Sequence, residues 1–175
     1  AVTWALYYPP IADYQSDTLS SVLEGKENEE FFTSLHAYRK GDTAQALAAV
    51  AEASEEIASP QLLTYRAGLL LSVGRVNEAQ ADINHALILD SRNSQARALQ
   101  SIIALTQNDK DQSLRLANTA VTLNQSDPTA LISRSYALQA AFDLKGAERD
   151  LTKAIQLDEN NALAWARYSE LKLMQ

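Results

Sequence analysis

The sequence predicts an all-α protein: a solenoid of helix-turn-helix repeats preceded by a non-repeat N-terminal arm. Two series of small residues carry this prediction. In the first series, alanines return every 33 or 34 residues: Ala53, Ala86, Ala120 and Ala154. The second series keeps the same spacing seven residues upstream: Ala46, Ala79, Ser113 and Ala147. A period near 34 residues is typical of stacked helix pairs, and small residues are needed where two helix backbones approach closely.

The repeat units follow one another from residue 27 onward. They span residues 27–59, 60–93, 94–127 and 128–161, and a partial unit covers residues 162–174. The turn between the two helices of each unit is expected at Gly41-Asp42, Gly74-Arg75, Asn108-Asp109 and Phe142-Asp143. Pro60 and Pro128 suit the first position of a helix, where no backbone N–H is required. The second helices are expected to close at Leu89, Leu123 and Leu157. The units together predict nine helices in antiparallel pairs.

Composition narrows the class of partner. With 175 residues and 46% hydrophobic composition, the chain can bury a continuous apolar core. Its net charge of -7 argues against nucleic acid or an anionic membrane as the main partner, because both need a basic face. The absence of cysteine excludes disulfides and thiolate metal sites. No apolar run approaches the roughly 20 residues that cross a bilayer, so no membrane insertion is expected.

Catalytic chemistry finds no support in the residue pattern. His36 and His85 lie in different units, and neither has a nucleophile or carboxylate partner pattern beside it. The acidic turn at residues 158–161 lacks the alternating ligands and central glycine of a calcium loop. The five glycines are scattered and form no phosphate-binding loop. We interpret the chain as non-enzymatic, with no cofactor and no metal.

Several residues in these registers resemble the signature of the tetratricopeptide repeat family. Trp165 falls at the signature tryptophan of the partial unit, and both alanine series match the two signature alanines. The signature Gly/Ala position is matched by Ala67, Ser101, Ser135 and Ser169. Segments 74–79 and 154–160 are typical of the family, and the resemblance covers residues 27–174. It implies a right-handed superhelix with the first helix of each unit on the concave side, acting as a non-catalytic protein-interaction scaffold.

The resemblance also implies which residues line the concave groove. They are Phe31, Leu35, Tyr38, Arg39, Thr64, Tyr65, Gln95, Leu99, Ile102, Ile132, Tyr136, Gln139 and Arg167. An aromatic-lined groove with a few amides suits an extended or helical peptide. Family members that grip the acidic tail of heat-shock chaperones use Lys, Asn and Arg at inner positions, where this chain has Phe31, Leu35, Tyr65 and Ile102. We therefore expect an apolar or aromatic partner, not an acidic one. In the alternative interpretation, residues such as Leu71, Leu99 and Leu105 pack against the neighbouring helix.

Residues 1–26 do not follow the repeat. Val2, Trp4, Leu6 and Tyr8 alternate with other side chains, which predicts an extended arm. A short capping helix is expected after it, ending at Gly25. We expect residues 3–10 to occupy the groove of the same or a neighbouring molecule, because so apolar a segment gains free energy by docking. The alternatives are the last strand of a preceding domain and packing on the outer flank of the first unit.

The leading functional hypothesis is a scaffold that binds a peptide or partner segment in this groove. The alternative is a self-assembly or oligomerisation module of a larger bacterial envelope protein, and a third hypothesis is a regulatory domain beside a catalytic part. Residues 4–10 resemble the segment that leads into repeats in bacterial envelope proteins with a FecR-like domain. That resemblance favours the periplasm or cell envelope over the cytoplasm. Because the chain starts at Ala1 and stops within a repeat, we expect it to be a piece of a larger protein.

Overall fold

The computed structural model describes residues 25–51 and 59–175, and these contain nine α-helices and no strand. The helices are α1 (Gly25–Arg39), α2 (Thr43–Ala51), α3 (Pro60–Ser72), α4 (Val76–Leu89), α5 (Ser94–Thr106), α6 (Lys110–Leu123), α7 (Pro128–Ala140), α8 (Leu144–Leu157) and α9 (Ala162–Leu173). The predicted all-α repeat fold is confirmed. The predictions for Ala53 and for the arm at residues 1–24 lie outside the described residues.

Each helix pair is joined by a tight turn with one residue in the left-handed backbone region. The φ angle is 82° at Gly41, 79° at Gly74, and 61° at both Asn108 and Phe142. Glycine adopts this region without a Cβ clash, and asparagine tolerates it. Phenylalanine adopts it only at a steric cost. The four predicted turn sites are confirmed, since each falls on the expected residue.

Short polar side chains begin most of the later helices by accepting a backbone N–H of the first turn. These caps are Ser59, Asn93, Asp109, Asp127, Asp143 and Asn161. Pro60 and Pro128 occupy the first helical turn, as predicted. The second helices end at the predicted residues, and the next N–H bonds to the carbonyl of the repeated alanine: Asp90 to Ala86, Asn124 to Ala120, and Asp158 to Ala154. Local sequence therefore sets both ends of these helices.

The repeated small residues are completely buried where the helices pack together. Their exposure is 0% at Ala46, Ala79, Ala86, Ser113, Ala120, Ala147 and Ala154. Each even-numbered helix packs on its own partner and on the next odd-numbered helix, while α3, α5, α7 and α9 pack on one another in order. The apolar core runs through α5, where Leu99 and Ile103 join the N-terminal core cluster and Ile102 and Leu105 join the C-terminal one. The helices therefore form two layers over one continuous core.

Candidate interaction surface

The first helices of the units, α1, α3, α5, α7 and α9, hold every residue that the sequence assigns to the groove. We call these helices the first-helix layer. Most of the assigned residues are buried: Phe31, Leu35, Thr64, Tyr65, Leu99, Ile102, Ile132, Tyr136 and Arg167. Tyr38, Gln95 and Gln139 are half-buried, and Arg39 is exposed.

The burial of the apolar residues differs from the expectation of a solvent-facing lining. Tyr65 and Tyr136 are each 4% exposed, and Ile102 is fully buried. A large apolar side chain gains roughly 1.5–3 kcal/mol on leaving water, so burial is the favoured state for these residues. Leu71 and Leu105 are buried as well. Contact of these residues with a ligand stays a prediction.

At the N-terminal end of the layer, an aromatic pair joins α1 to α3. The ring of Phe31 meets the ring of Tyr65 edge-on, with centroids 5.0 Å apart. The Tyr65 hydroxyl lies 2.9 Å from Ser34 Oγ, and Ser34 Oγ donates to the carbonyl of Ala46 on α2 at 2.7 Å. Edge-to-face packing with a hydrogen-bonded hydroxyl holds Tyr65 in one orientation.

In the middle of the layer, polar contacts link α3 to α5. Thr64 Oγ1 lies 2.8 Å from the carbonyl of Gln61 and 3.4 Å from Gln95 Oε1. On the same layer, Ile102 on α5 and Ile132 on α7 have exposures of 0% and 1%. Polar groups beside buried aliphatic side chains are typical of surfaces that orient a bound chain by a few polar contacts.

The C-terminal end of the layer contains a buried cation. The Arg167 guanidinium lies 3.8 Å from the centroid of the Tyr136 ring, and Arg167 is only 2% exposed. Its Nη2 donates to Gln139 Oε1 at 2.7 Å, and its Nη1 donates to Glu170 Oε2 at 2.8 Å. Burial raises the pKa of Tyr136 to about 12, with Arg167 opposing and Glu170 adding to the shift. The phenol is therefore neutral at ordinary pH.

Two buried polar atoms at this end have no hydrogen-bond partner. They are the Nε of Arg167 on α9 and the Oγ of Ser133 on α7. A buried donor without an acceptor costs about 1–3 kcal/mol, so both atoms favour an added acceptor. The two residues are 34 positions apart and occupy the same place in successive repeats. Sequence reasoning missed Ser133, although its register with Arg167 was the signal that could have found it.

Within the described residues, no three His, Cys, Asp or Glu side chains come together as a metal site. His36 and His85 are both exposed and lie on different helices. None of the described helices combines the length and the apolar character needed to cross a bilayer.

Comparison by sequence finds no relative: no protein-family model matches the chain, and no curated protein matches it. Comparison by structure does find similar chains. A thermophilic TPR protein of Thermus thermophilus, TTC0263, is 19% identical with a TM-score of 0.72, covering 85% of this chain and 82% of that one. MamA 41-end from Desulfovibrio magneticus RS-1 is 18% identical with a TM-score of 0.56, covering 88% and 99%.

The first TPR of Spaghetti (RPAP3), solved bound to the HSP90 peptide SRMEEVD, is 20% identical with a TM-score of 0.54. That match covers 66% of this chain and 92% of the other. The described helices thus form a helix-turn-helix repeat solenoid. More particularly, the fold is of the tetratricopeptide repeat (TPR) type, as the sequence resemblance predicted.

Proposed function

We propose that this protein is a non-catalytic protein-interaction scaffold whose first-helix layer binds an apolar or aromatic peptide segment of a partner. The shared fold supports the class of function, because one similar TPR chain was solved with a bound peptide. The predicted groove residues all lie on this layer. In this proposal the buried aromatic and aliphatic side chains form the floor, and the half-buried Gln95 and Gln139 orient the peptide backbone.

The observation that carries the proposal is the buried Arg167 with its unpartnered Nε. Gln139, Glu170 and the Tyr136 ring hold the guanidinium in place, so its Nε–H points in a fixed direction. In this proposal a backbone carbonyl of the ligand displaces the side chains that cover the Nε and accepts its N–H, and the bond satisfies a group that folding left unpaired. Mostly apolar surroundings with a few convergent polar groups are typical of binding sites.

The same cluster favours a peptide without acidic residues. Glu170 already neutralises the charge of Arg167. The N-terminal half of the layer has Phe31, Leu35 and Tyr65, which offer no charge to a carboxylate. An aspartate or glutamate placed on these three residues loses hydration without gaining an opposite charge, and the charged groove residue of this half, Arg39, lies exposed at the end of α1.

Peptide selection on the full chain tests the proposal. A random twelve-residue library displayed on phage is selected against residues 1–175, and the selected peptide is measured by fluorescence anisotropy. We expect an aromatic or aliphatic consensus. Arg167→Lys should weaken binding about tenfold, because lysine lacks the planar fork and the Nε donor. Arg115→Lys, at an exposed position on α6, is the matched control and should leave affinity unchanged. An acidic consensus whose binding is weakened by Arg167→Lys, or equal affinity for both variants, contradicts the proposal.

We extend the proposal to the N-terminal arm, with residues 3–10 as a ligand-like segment that competes for this layer or joins neighbouring molecules. Deleting residues 1–10 should raise the affinity for the selected peptide and abolish any arm-dependent self-association, because a tethered competitor has a high effective concentration. Unchanged peptide affinity in the deletion variant argues that the arm binds elsewhere.

A second candidate function is self-assembly, and the exposed apolar residues of the last described helix favour it. Trp165 is 48% exposed, Leu173 is 90% exposed, and the adjoining Met174 is 51% exposed. Sedimentation velocity decides between the two functions, since a peptide scaffold stays monomeric at micromolar concentration and an assembly module does not. A periplasmic or envelope location remains part of the proposal, and fractionation of source cells tests it.

A further inference from the structure

One face of α8 bears a row of positive charge. Lys145, Arg149 and Lys153 are exposed and lie four residues apart, on the side of the helix opposite the buried Ala147 and Leu151. We call these three residues the basic stripe. Together with Glu148, Thr152 and Gln156 they form one open, solvent-facing face of α8.

The charge of the basic stripe is not neutralised by the described part of the protein. The one carboxylate on this face of α8, Glu148, bonds to Lys172 on α9 and also accepts a hydrogen bond from Gln175 Nε2 at 3.0 Å. None of the three stripe residues forms an ion pair with another described residue. Three cations therefore face solvent together along one face of α8.

The fold itself does not require these cations. The same repeat positions on α4 are Asn77, Ala81 and His85, and on α6 they are Asp111, Arg115 and Thr119. Like charges four residues apart destabilise a helix, so the stripe opposes the stability of α8. The other repeats lack three cations at these positions, and the cations destabilise α8. The basic stripe is therefore better explained by the binding of a ligand than by the stability of the fold.

We infer that the basic stripe binds an extended, acidic segment of a partner protein, with carboxylates at alternate positions. Four residues of helix advance about 6 Å, and alternate residues of an extended chain lie about 6.6 Å apart on one side. Three alternate carboxylates therefore match the three cations in spacing.

The polar residues between the cations suit an extended chain. Gln156 offers both an amide donor and an amide acceptor, and Thr152, whose hydroxyl bonds to the carbonyl of Glu148, still has a free lone pair. An extended peptide has unpaired backbone groups to receive these bonds, whereas a helix has already used its own. The geometry thus points to a strand-like segment.

The size of the stripe disfavours other anions. Nucleic acid and anionic membranes present wide, dense negative surfaces, and binding to them needs a broader basic face than one line of cations. A single line of three cations matches one short peptide. The site lies on a second helix, outside the first-helix layer, so one molecule can hold two different partner segments.

The test uses the full chain and a labelled peptide that has glutamate at three alternate positions and serine between them. Anisotropy should show saturable binding that weakens when the NaCl concentration rises from about 50 to about 300 mM. The variant Lys145→Gln/Arg149→Gln/Lys153→Gln should bind about tenfold or more weakly. The matched control Lys40→Gln/Arg92→Gln/Arg115→Gln removes the same charge from exposed sites and should stay within about twofold. Circular dichroism confirms that both variants are folded.

Four results overturn the inference. If the two triple variants lose the same affinity for the peptide, the attraction is only long-range. If a peptide with three consecutive glutamates binds with equal affinity, the spacing of the carboxylates does not matter. Stripe-dependent binding of duplex DNA or phosphatidylserine vesicles, without peptide binding, assigns the stripe to those ligands. Self-association that the stripe variant abolishes assigns it to a second copy. Arg167→Lys should leave acidic-peptide binding intact, so this site and the first-helix layer fail or succeed separately.

Discussion

The second and fourth helix pairs share a buried ion pair that the third pair lacks. Arg66 on α3 donates to both oxygens of Asp82 on α4, and Arg134 on α7 does the same with Asp150 on α8 at 2.7 Å for each bond. The corresponding positions of the third pair, α5 and α6, are Gln100 and Leu116. The three pairs nevertheless pack in the same way.

This difference separates what the repeat requires from what it tolerates. The repeated alanines Ala86, Ala120 and Ala154 are fully buried in all three pairs. The Arg–Asp position accepts either an ion pair or two uncharged side chains. In the ion pair each charge is compensated by its partner, and in the uncharged pair no buried charge needs compensation. Side-chain volume at the helix crossing is therefore the fixed requirement, and charge at the neighbouring position is optional.

Breaking one ion pair should have the largest effect. Arg134→Ala leaves Asp150, whose side chain is 8% exposed, without its cation. We expect a loss of about 2–3 kcal/mol in the free energy of unfolding, less than for a fully buried pair because Arg134 is partly solvated. Urea unfolding measures the loss. Arg75→Ala, which breaks an exposed pair with Glu78, is the control and should change the free energy of unfolding little.

Placing the uncharged residues of the third helix pair into the fourth tests whether the ion pair is optional. The double variant Arg134→Gln/Asp150→Leu removes both charges, so we expect it to recover more than half of the stability lost in Arg134→Ala. If the double variant is the less stable of the two, the ion pair contributes something that the third helix pair does not replace.

Enlarging a fixed position should have the next largest effect. Ala120→Leu forces extra methyl groups into the packed core around α6, and we expect a loss of about 1–3 kcal/mol by overpacking. Ala48 on α2 is exposed, so Ala48→Leu should change the melting temperature little. Equal melting temperatures for Ala120→Leu and the unsubstituted chain would refute the claim that volume is fixed there.

The turns of the third and fourth pairs provide the smallest effect. Phe142 is 87% exposed with a φ of 61°, so Phe142→Gly removes backbone strain without removing buried surface. We expect a gain of about 0.5–1 kcal/mol in thermal unfolding. Asn108→Gly should gain less, because asparagine already tolerates the left-handed region. A loss of stability in Phe142→Gly would mean that its contact with Lys110, 5.9 Å from the ring centroid, matters more than strain.

The candidate site was harder to predict than the helices. Sequence patterns placed Tyr65, Ile102 and Tyr136 on the first helices, yet the same apolar residue types suit a packed interior and a ligand-facing floor. Their near-complete burial became visible only in the folded chain. The unpartnered Ser133 and the basic stripe on α8 were also missed, because each depends on which face of a helix is covered.

The sequence by itself determined the repeat length, the turn sites and the ends of the later helices. These features are local: a cap acts within one helical turn, a left-handed turn residue acts on its own backbone, and a small residue recurs in step with the repeat. Only the tertiary structure decided the pairing of Arg134 with Asp150 and the stacking of Arg167 on Tyr136, 31 residues earlier in the chain. Such contacts join different helices, and their geometry depends on how the two layers pack. The residues next to each partner in the sequence do not indicate that packing.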